Sequence, residues 1–136
     1  MIGDVHGCYD PLCSLLAKLP PNDHLVFCGD VINRGEAIPA TMDLVWDLTQ
    51  AGRATWLRGN HEQDLIDALE SQQGLSQHAT YGQLGDSIAR QWLPRLQQLP
   101  LVYRGDGWCA THAGFNTPGA PDQSILDPFW EDYDGR

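Results

Sequence analysis

The chain has 136 residues, room for one domain with a buried core (residues 1–136) and not for two. Its formal net charge is −10, with 8 basic residues against 18 acidic ones. That balance gives no basic face for nucleic acid, so an anionic substrate must meet its positive charge in bound metals and a few placed arginines. No apolar run approaches the ~18 residues of a membrane span, and Met1 leads straight into a polar motif rather than a signal segment. The expected setting is cytoplasmic, with neither membrane nor nucleic acid as partner.

In chain order, Ile2-Gly3-Asp4-Val5-His6-Gly7 comes first: a short apolar run delivering a carboxylate and an imidazole two residues apart, with glycines that let the backbone turn. Asp10-Pro11 predicts an N-cap with proline at the first helical position. Leu12, Leu15, Leu16 and Leu19 then recur at helical spacing until Pro20-Pro21 stops the helix. Residues 24–28 predict a second strand, which ends in Gly29-Asp30 and continues to Arg34-Gly35. A helix from about Pro39 carries Met42, Val45, Trp46 and Leu48 inward, with Gly52 as its C-terminal cap. Residues 54–57 predict a third strand, followed by Arg58-Gly59-Asn60-His61-Glu62.

From Glu62 a helix carries Leu65, Ile66 and Leu69, with Glu62 itself a first-turn residue favoured by the helix dipole. Residues 71–77, rich in Gln, Ser and Gly, read as loop. Ile88, Trp92 and Leu96 predict one more helix, bent or ended near Pro94. Residues 99–103 and 108–111 flank Asp106-Gly107 as a hairpin leading into His112-Ala113-Gly114. The tail from Phe115 reads as loop, closing with an aromatic and acidic patch from Phe129 to Tyr133. Cys8, Cys13, Cys28 and Cys109 contain no Cys-x-x-Cys pair and are expected as buried small hydrophobes.

Three strands thus end in Gly followed by Asp or Asn, and open α/β sheets gather their sites at the carboxyl ends of strands. Asp4, His6, Asp30, Asn60 and His112 are nitrogen and oxygen donors without sulfur, a set that suits manganese, iron or zinc in a catalytic centre. Asp30, central in the order, is the candidate to bridge two ions, which at roughly 3.5–4 Å apart clamp a phosphoryl group and a hydroxide for in-line attack. Arg34 and Arg58 offer planar forks for phosphate oxygens. His61, adjacent to Asn60 and so poorly placed to ligate the same ion, is the candidate acid for the leaving oxygen.

Gly3-Asp4-x-His6-Gly7, Gly29-Asp30-x-x-x-Arg34-Gly35, Gly59-Asn60-His61-Glu62 and His112-Ala113-Gly114, in that order, resemble the calcineurin-like metallophosphoesterases. Within them the chain looks most like the serine/threonine phosphoprotein phosphatase branch of bacterial and bacteriophage-lambda type, from Met1 to about Gly114. The resemblance implies an αββα sandwich, one metal on Asp4, His6 and Asp30, the other on Asp30, Asn60 and His112, Arg34 and Arg58 on phosphate, and His61 as acid. Three departures accompany it. Asn33 stands where the family usually has an Asp that orients the acid histidine. No histidine follows His112, although the family takes a last ligand from a later Gly-His motif. Family domains are longer and begin their first strand earlier, so the chain is expected to be a fragment, incomplete at both ends. Arg136 is a further candidate for the family's later substrate arginine.

The reading from sequence is therefore a metal-dependent phosphomonoester hydrolase, foremost a serine/threonine protein phosphatase acting on a phosphorylated protein or small phosphoester. A symmetrical diadenosine tetraphosphate hydrolase is the enzymatic alternative, because residues 3–10 are very like the opening of that branch. Glu62, where that branch tends to have Asp, favours the phosphatase. A non-catalytic domain that holds metal or phosphate is the alternative of another class.

Overall fold

The computed structural model describes residues 1–115 and 126–127; the aromatic and acidic patch from Phe129 to Tyr133 and Arg136 lie outside the described residues. Two short strands, β1 (Leu25–Phe27) and β2 (Ala54–Trp56), pair in parallel with Leu25 opposite Ala54 and Phe27 opposite Trp56. On the other side of β1, Ile2 forms a single parallel bridge to Phe27. There the Ile2 amide donates to Val26 O at 2.8 Å and the Cys28 amide donates to Ile2 O at 2.8 Å. The three predicted strand ends thus lie side by side and point the same way. Strand residues alternate between two faces: Leu25, Phe27, Ala54 and Trp56 enter the main core, whereas Val26 and Leu57 enter a second cluster.

The main core is covered by helices. The first, α1 (Tyr9–Leu16), starts one residue before the expected cap, with Cys8 at the N-cap and no side-chain hydrogen bond there. Asp10 and Pro11 fall in its first turn, where a carboxylate meets the positive end of the helix and a missing N–H leaves no carbonyl unpaired. Leu12 is buried, while Leu15 is exposed. Next, α2 (Ile38–Gln50) connects the parallel strands. It ends as expected at Gly52, whose φ is 72°, with the Gly52 amide donating to Thr49 O and the Arg53 amide to Leu48 O.

After β2, α3 (Asn60–Ser71) begins two residues before Glu62, which brings Asn60 and His61 into its first turn. A 3₁₀ turn (Leu75–Gln77) and α4 (Ala79–Leu84) occupy a stretch without an apolar helical stripe, and neither was expected. Finally, α5 (Asp86–Gln97) runs through Pro94 instead of ending there. A proline inside a helix costs about 3 kcal/mol, but Trp92 and Leu96, on either side of it, are 3% and 0% exposed. Burying two such side chains contributes about 1.5–3 kcal/mol each, which offsets that cost.

The second cluster, Val26, Leu57 and Ala110 with Cys28 and Tyr103, joins the parallel sheet to an antiparallel hairpin, β3 (Val102–Gly105) and β4 (Trp108–Thr111). The described residues therefore form helices, sheet and hairpin in three layers. The outer helical layer of the expected αββα sandwich is not found among them. A short antiparallel pair, β5 (Gly114–Phe115) with β6 (Leu126–Asp127), stands where loop was expected. The cysteines are less buried than expected: Cys8 is exposed, and Cys13, Cys28 and Cys109 are half-buried.

Candidate metal centre and active site

The loops that leave Ile2, β1 and β2 are laced together by their own backbones. The amides of Val5 and His6 both donate to Asp30 O at 3.0 and 2.9 Å, that of Gly7 donates to Val31 O at 2.8 Å, and that of Gly35 to His6 O at 2.9 Å. Such an approach leaves no space for a side chain at Gly35, where a Cβ would lie 2.2 Å from His6 O, or at Gly59, where it would lie 2.3 Å from Asp30 Oδ1. The same loops hold His6, Asp30, Asn33 and Arg34 at φ of 48°, 54°, 69° and 67°. A non-glycine residue in this left-handed region costs of order 1–3 kcal/mol and persists only where its surroundings over-determine it. Four of the residues singled out in the sequence are therefore fixed by the fold rather than by local preference.

One determinant is Glu62, which does more than complement a helix dipole. It is 0% exposed. Its Oε2 accepts from the amides of Gly59 and Asp30, both at 2.8 Å, and its Oε1 accepts from those of Val31 at 2.9 Å and Ile32 at 3.4 Å. Burial pushes its carboxyl up and the charge of Asp30 adds to that, while the amides of Asp30, Gly59 and Val31 pull it down. A Glu three residues after the helix N-cap is the reciprocal half of a capping box, and that position was the available signal.

A second determinant is α4. Thr80, 1% exposed, accepts the Asn33 amide on Oγ1 at 3.0 Å. Gln83 donates from Nε2 to Gly35 O at 2.7 Å and accepts the Ile38 amide on Oε1 at 3.0 Å. Thr80 and Gln83 stand in no chemical motif, and only the folded chain brings them to the Asn33–Gly35 loop.

The expected metal ligands converge. His6, Asp30 and His61 offer donor atoms within 4.8 Å of one another, as do Asp4, Asp30 and His112. Asp30 belongs to both groups, as a bridging ligand should. The grouping differs from the expectation in one respect: His61 falls inside the donor cluster, its Nε2 3.8 Å from Asp30 Oδ2, because the α3 first turn swings its ring back toward Asp30.

The tautomers fit a metal. His6 Nδ1 lies 3.0 Å from Ile32 O and His112 Nδ1 lies 2.7 Å from Cys28 O, so each Nδ1–H donates to a carbonyl and each Nε2 keeps a free lone pair. For His112 that lone pair faces Asn60 Oδ1 at 3.0 Å and Asp30 Oδ2 at 3.6 Å. A divalent cation seated among these atoms would satisfy all three.

His61 is held through Nδ1. Asn33 Nδ2 donates to its Nδ1 at 2.9 Å, and Arg34 approaches its Nε2 at 3.5 Å. The ring packs edge-on to His6 at 4.9 Å between centroids. Burial pushes the imidazole pKa down; Asp30 opposes this, and His6 and Arg34 reinforce it. With Nδ1 accepting, the proton of the neutral ring sits on Nε2, facing Asp30.

Arg58 is placed elsewhere than expected. Its NH1 donates to Gln63 Oε1 at 3.0 Å, and its NH2 to Gln97 O and to Leu99 O. The fork is taken by Gln97 O, in the last turn of α5, and by Leu99 O just beyond it, so it braces α3 against the end of α5. The exposed cation beside the donor cluster is Arg34.

A two-centre nitrogen and oxygen cluster at the ends of parallel strands, on this fold, defines a metallophosphoesterase. The chain belongs to the calcineurin-like phosphoesterase family, whose model matches residues 1–135. Among curated relatives it is 31% identical to the symmetrical bis(5'-nucleosyl)-tetraphosphatase of Ralstonia nicotianae, over 97% of this chain and 50% of that protein. It is 34% identical to the enzyme of the same name from Methylococcus capsulatus, over 83% of this chain and 41% of that protein. The chain thus spans half or less of these relatives' length. Among solved structures, one named "putative diadenosine tetraphosphatase" superposes with a TM-score of 0.65 at 26% identity, covering 93% of this chain and 54% of that one. A protein serine/threonine phosphatase from Saccharomyces cerevisiae superposes with a TM-score of 0.71 at 22% identity, covering 88% and 39%; it shares the fold. The family uses divalent metals. Among the described residues no helix is long and apolar enough to cross a membrane.

Proposed function

We propose that the chain carries the metal-binding part of a hydrolase that splits symmetrical dinucleoside tetraphosphates into two nucleoside diphosphates. The observation that carries the chemistry is Asp30, shared by both donor groups and fixed by three hydrogen bonds of its own backbone, two at its carbonyl oxygen and one at its amide. The substrate rests on the relatives, which share one name at 31% and 34% identity. This reverses the preference drawn from sequence, which relied on Glu62. That side chain is fully buried and binds amides, so its choice over Asp has no direct bearing on substrate. A phosphorylated protein as partner has no support beyond a shared fold.

Asp4, His6 and Asp30 would hold one divalent cation and Asp30, Asn60 and His112 the other, with manganese proposed and iron or zinc accepted by the same donors. Bound there, the cations supply Lewis acidity toward the phosphoryl oxygens and the attacking water. Arg34 binds phosphate oxygens, and His61, when protonated, gives its Nε2 proton to the leaving oxygen, with Asn33 fixing the ring through Nδ1. Arg58 acts at a distance, through Gln63 and the end of α5.

The test is turnover with manganese of diadenosine tetraphosphate against a phosphoserine peptide, with products resolved by ion-exchange chromatography. ADP as the nucleotide product, formed well above the rate of peptide dephosphorylation, is the expected result. Preferential peptide dephosphorylation would restore the phosphatase reading.

A further inference from the structure

We infer that the polar hollow beside His61 is the subsite for the ribose of the departing nucleotide, an inference that rests on the proposed dinucleoside tetraphosphate reading. The hollow has a volume of about 450 Å³, within the roughly 300–1,000 Å³ of small-molecule sites. It begins at Asn33 and His61 and runs along α3 past Asp64, Asp67 and Ser71, with His78 on its rim. His61, Asp64, Asp67 and Ser71 recur at intervals of three or four, so they form one stripe leading away from the proposed acid.

In-line displacement puts the leaving group on the side of the group that protonates it, so the departing nucleotide lies next to His61. The residues lining the hollow carry two carboxylates and no Lys or Arg. Phosphates are therefore kept at the donor cluster and Arg34, and the hollow favours a neutral moiety rich in O–H donors. A vicinal diol is such a moiety, and a carboxylate accepting from ribose hydroxyls is a recurrent arrangement in nucleotide sites.

Asp67 is also preset. Arg58 NH1 donates to Gln63 Oε1 at 3.0 Å, which turns Gln63 Nε2 to donate to Asp67 Oδ1 at 2.7 Å. The relay gives the braced Arg58 a part in substrate choice.

The experiment compares Asp64→Asn and Asp67→Asn with the parent chain, with manganese present, on diadenosine tetraphosphate and on p-nitrophenyl phosphate, which has no sugar. The ratio of the two kcat/KM values is expected to fall about tenfold in each variant, mainly through KM for the dinucleotide. Equal losses on both substrates, or an unchanged ratio, would overturn the subsite while leaving the hydrolase reading intact. No dinucleotide turnover by the parent chain overturns the reading itself and the subsite with it. A preference for a lysine-flanked phosphopeptide that disappears in the variants would give the hollow to a cationic peptide instead.

Discussion

Replacing Glu62 with Gln separates two views of the buried carboxyl. Burial favours a neutral acid there, and a neutral acid is closely imitated by an amide. Four amides aimed at two oxygens favour the carboxylate instead, because any proton on either oxygen would face a donor. Gln keeps one oxygen. It is expected to keep it on the two 2.8 Å contacts from Gly59 and Asp30, turning its NH₂ toward Val31 and Ile32, whose contacts are 2.9 and 3.4 Å. One good and one weak bond are lost, and two donors confront two donors. At about 1–3 kcal/mol for a stranded buried donor, with the weak bond counted at the low end, the loss is about 2–3 kcal/mol. For a chain of this size each kcal/mol lowers Tm by about 3–5 °C, so the expected fall is roughly 6–15 °C by calorimetry. Stability within about 0.5 kcal/mol of the parent, the ordinary range for surface changes, would show that Glu62 is neutral and that the clamp does not operate as described.

Asp30→Asn should abolish binding of both divalent ions in calorimetric titration with manganese, whereas His112→Ala should leave the ion on Asp4 and His6; two undiminished sites in Asp30→Asn would refute the bridging assignment. Asn33→Asp places a carboxylate against His61 Nδ1, which raises an imidazole pKa that burial now lowers. The protonated acid then persists to higher pH, and the alkaline limb of the rate profile should move up; a limb that stays put at equal metal content would remove His61 from the role of acid. Thr80→Val strands the part-buried Asn33 amide and should cost about 1–2 kcal/mol in urea unfolding, with Thr80→Ser close to the parent; equal behaviour of the two variants would deny the hydroxyl its place in the loop.

The strand ends and helix faces were legible because period and punctuation agreed there: Gly52 closes α2 as a left-handed cap, and Leu65, Ile66 and Leu69 lie inward on α3. The meeting of the candidate donors was legible as well: His6 and Asp30 lie together, as do Asp4, Asp30 and His112, and Asn60 faces His112. What escaped was carried by groups whose partners are distant in sequence. Thr80 acts on Asn33 and Gln83 on Gly35, 47 and 48 residues away, and α4 has no apolar stripe to announce it. Arg58 was misplaced because a guanidinium next to a motif looks like an anion site, and nothing local reveals that α5 ends beside it with free carbonyls. Glu62 was undervalued since the same letter serves an exposed helix start and a buried clamp. Pro94 was read by its local penalty, which the burial of Trp92 and Leu96 outweighs.

The clamp by Glu62 also decides how the active-site loop breathes. A loop usually exchanges its amide hydrogens quickly because water is their alternative partner. Here the amides of Asp30 and Val31 are satisfied by a carboxylate anchored in α3, and those of Val5, His6 and Gly7 by the loop's own carbonyls. Solvent reaches them only when the first turn of α3 lifts away from the loop. The donor cluster therefore opens as one cooperative unit with the start of that helix, and its protection against deuterium should follow the core rather than the surface.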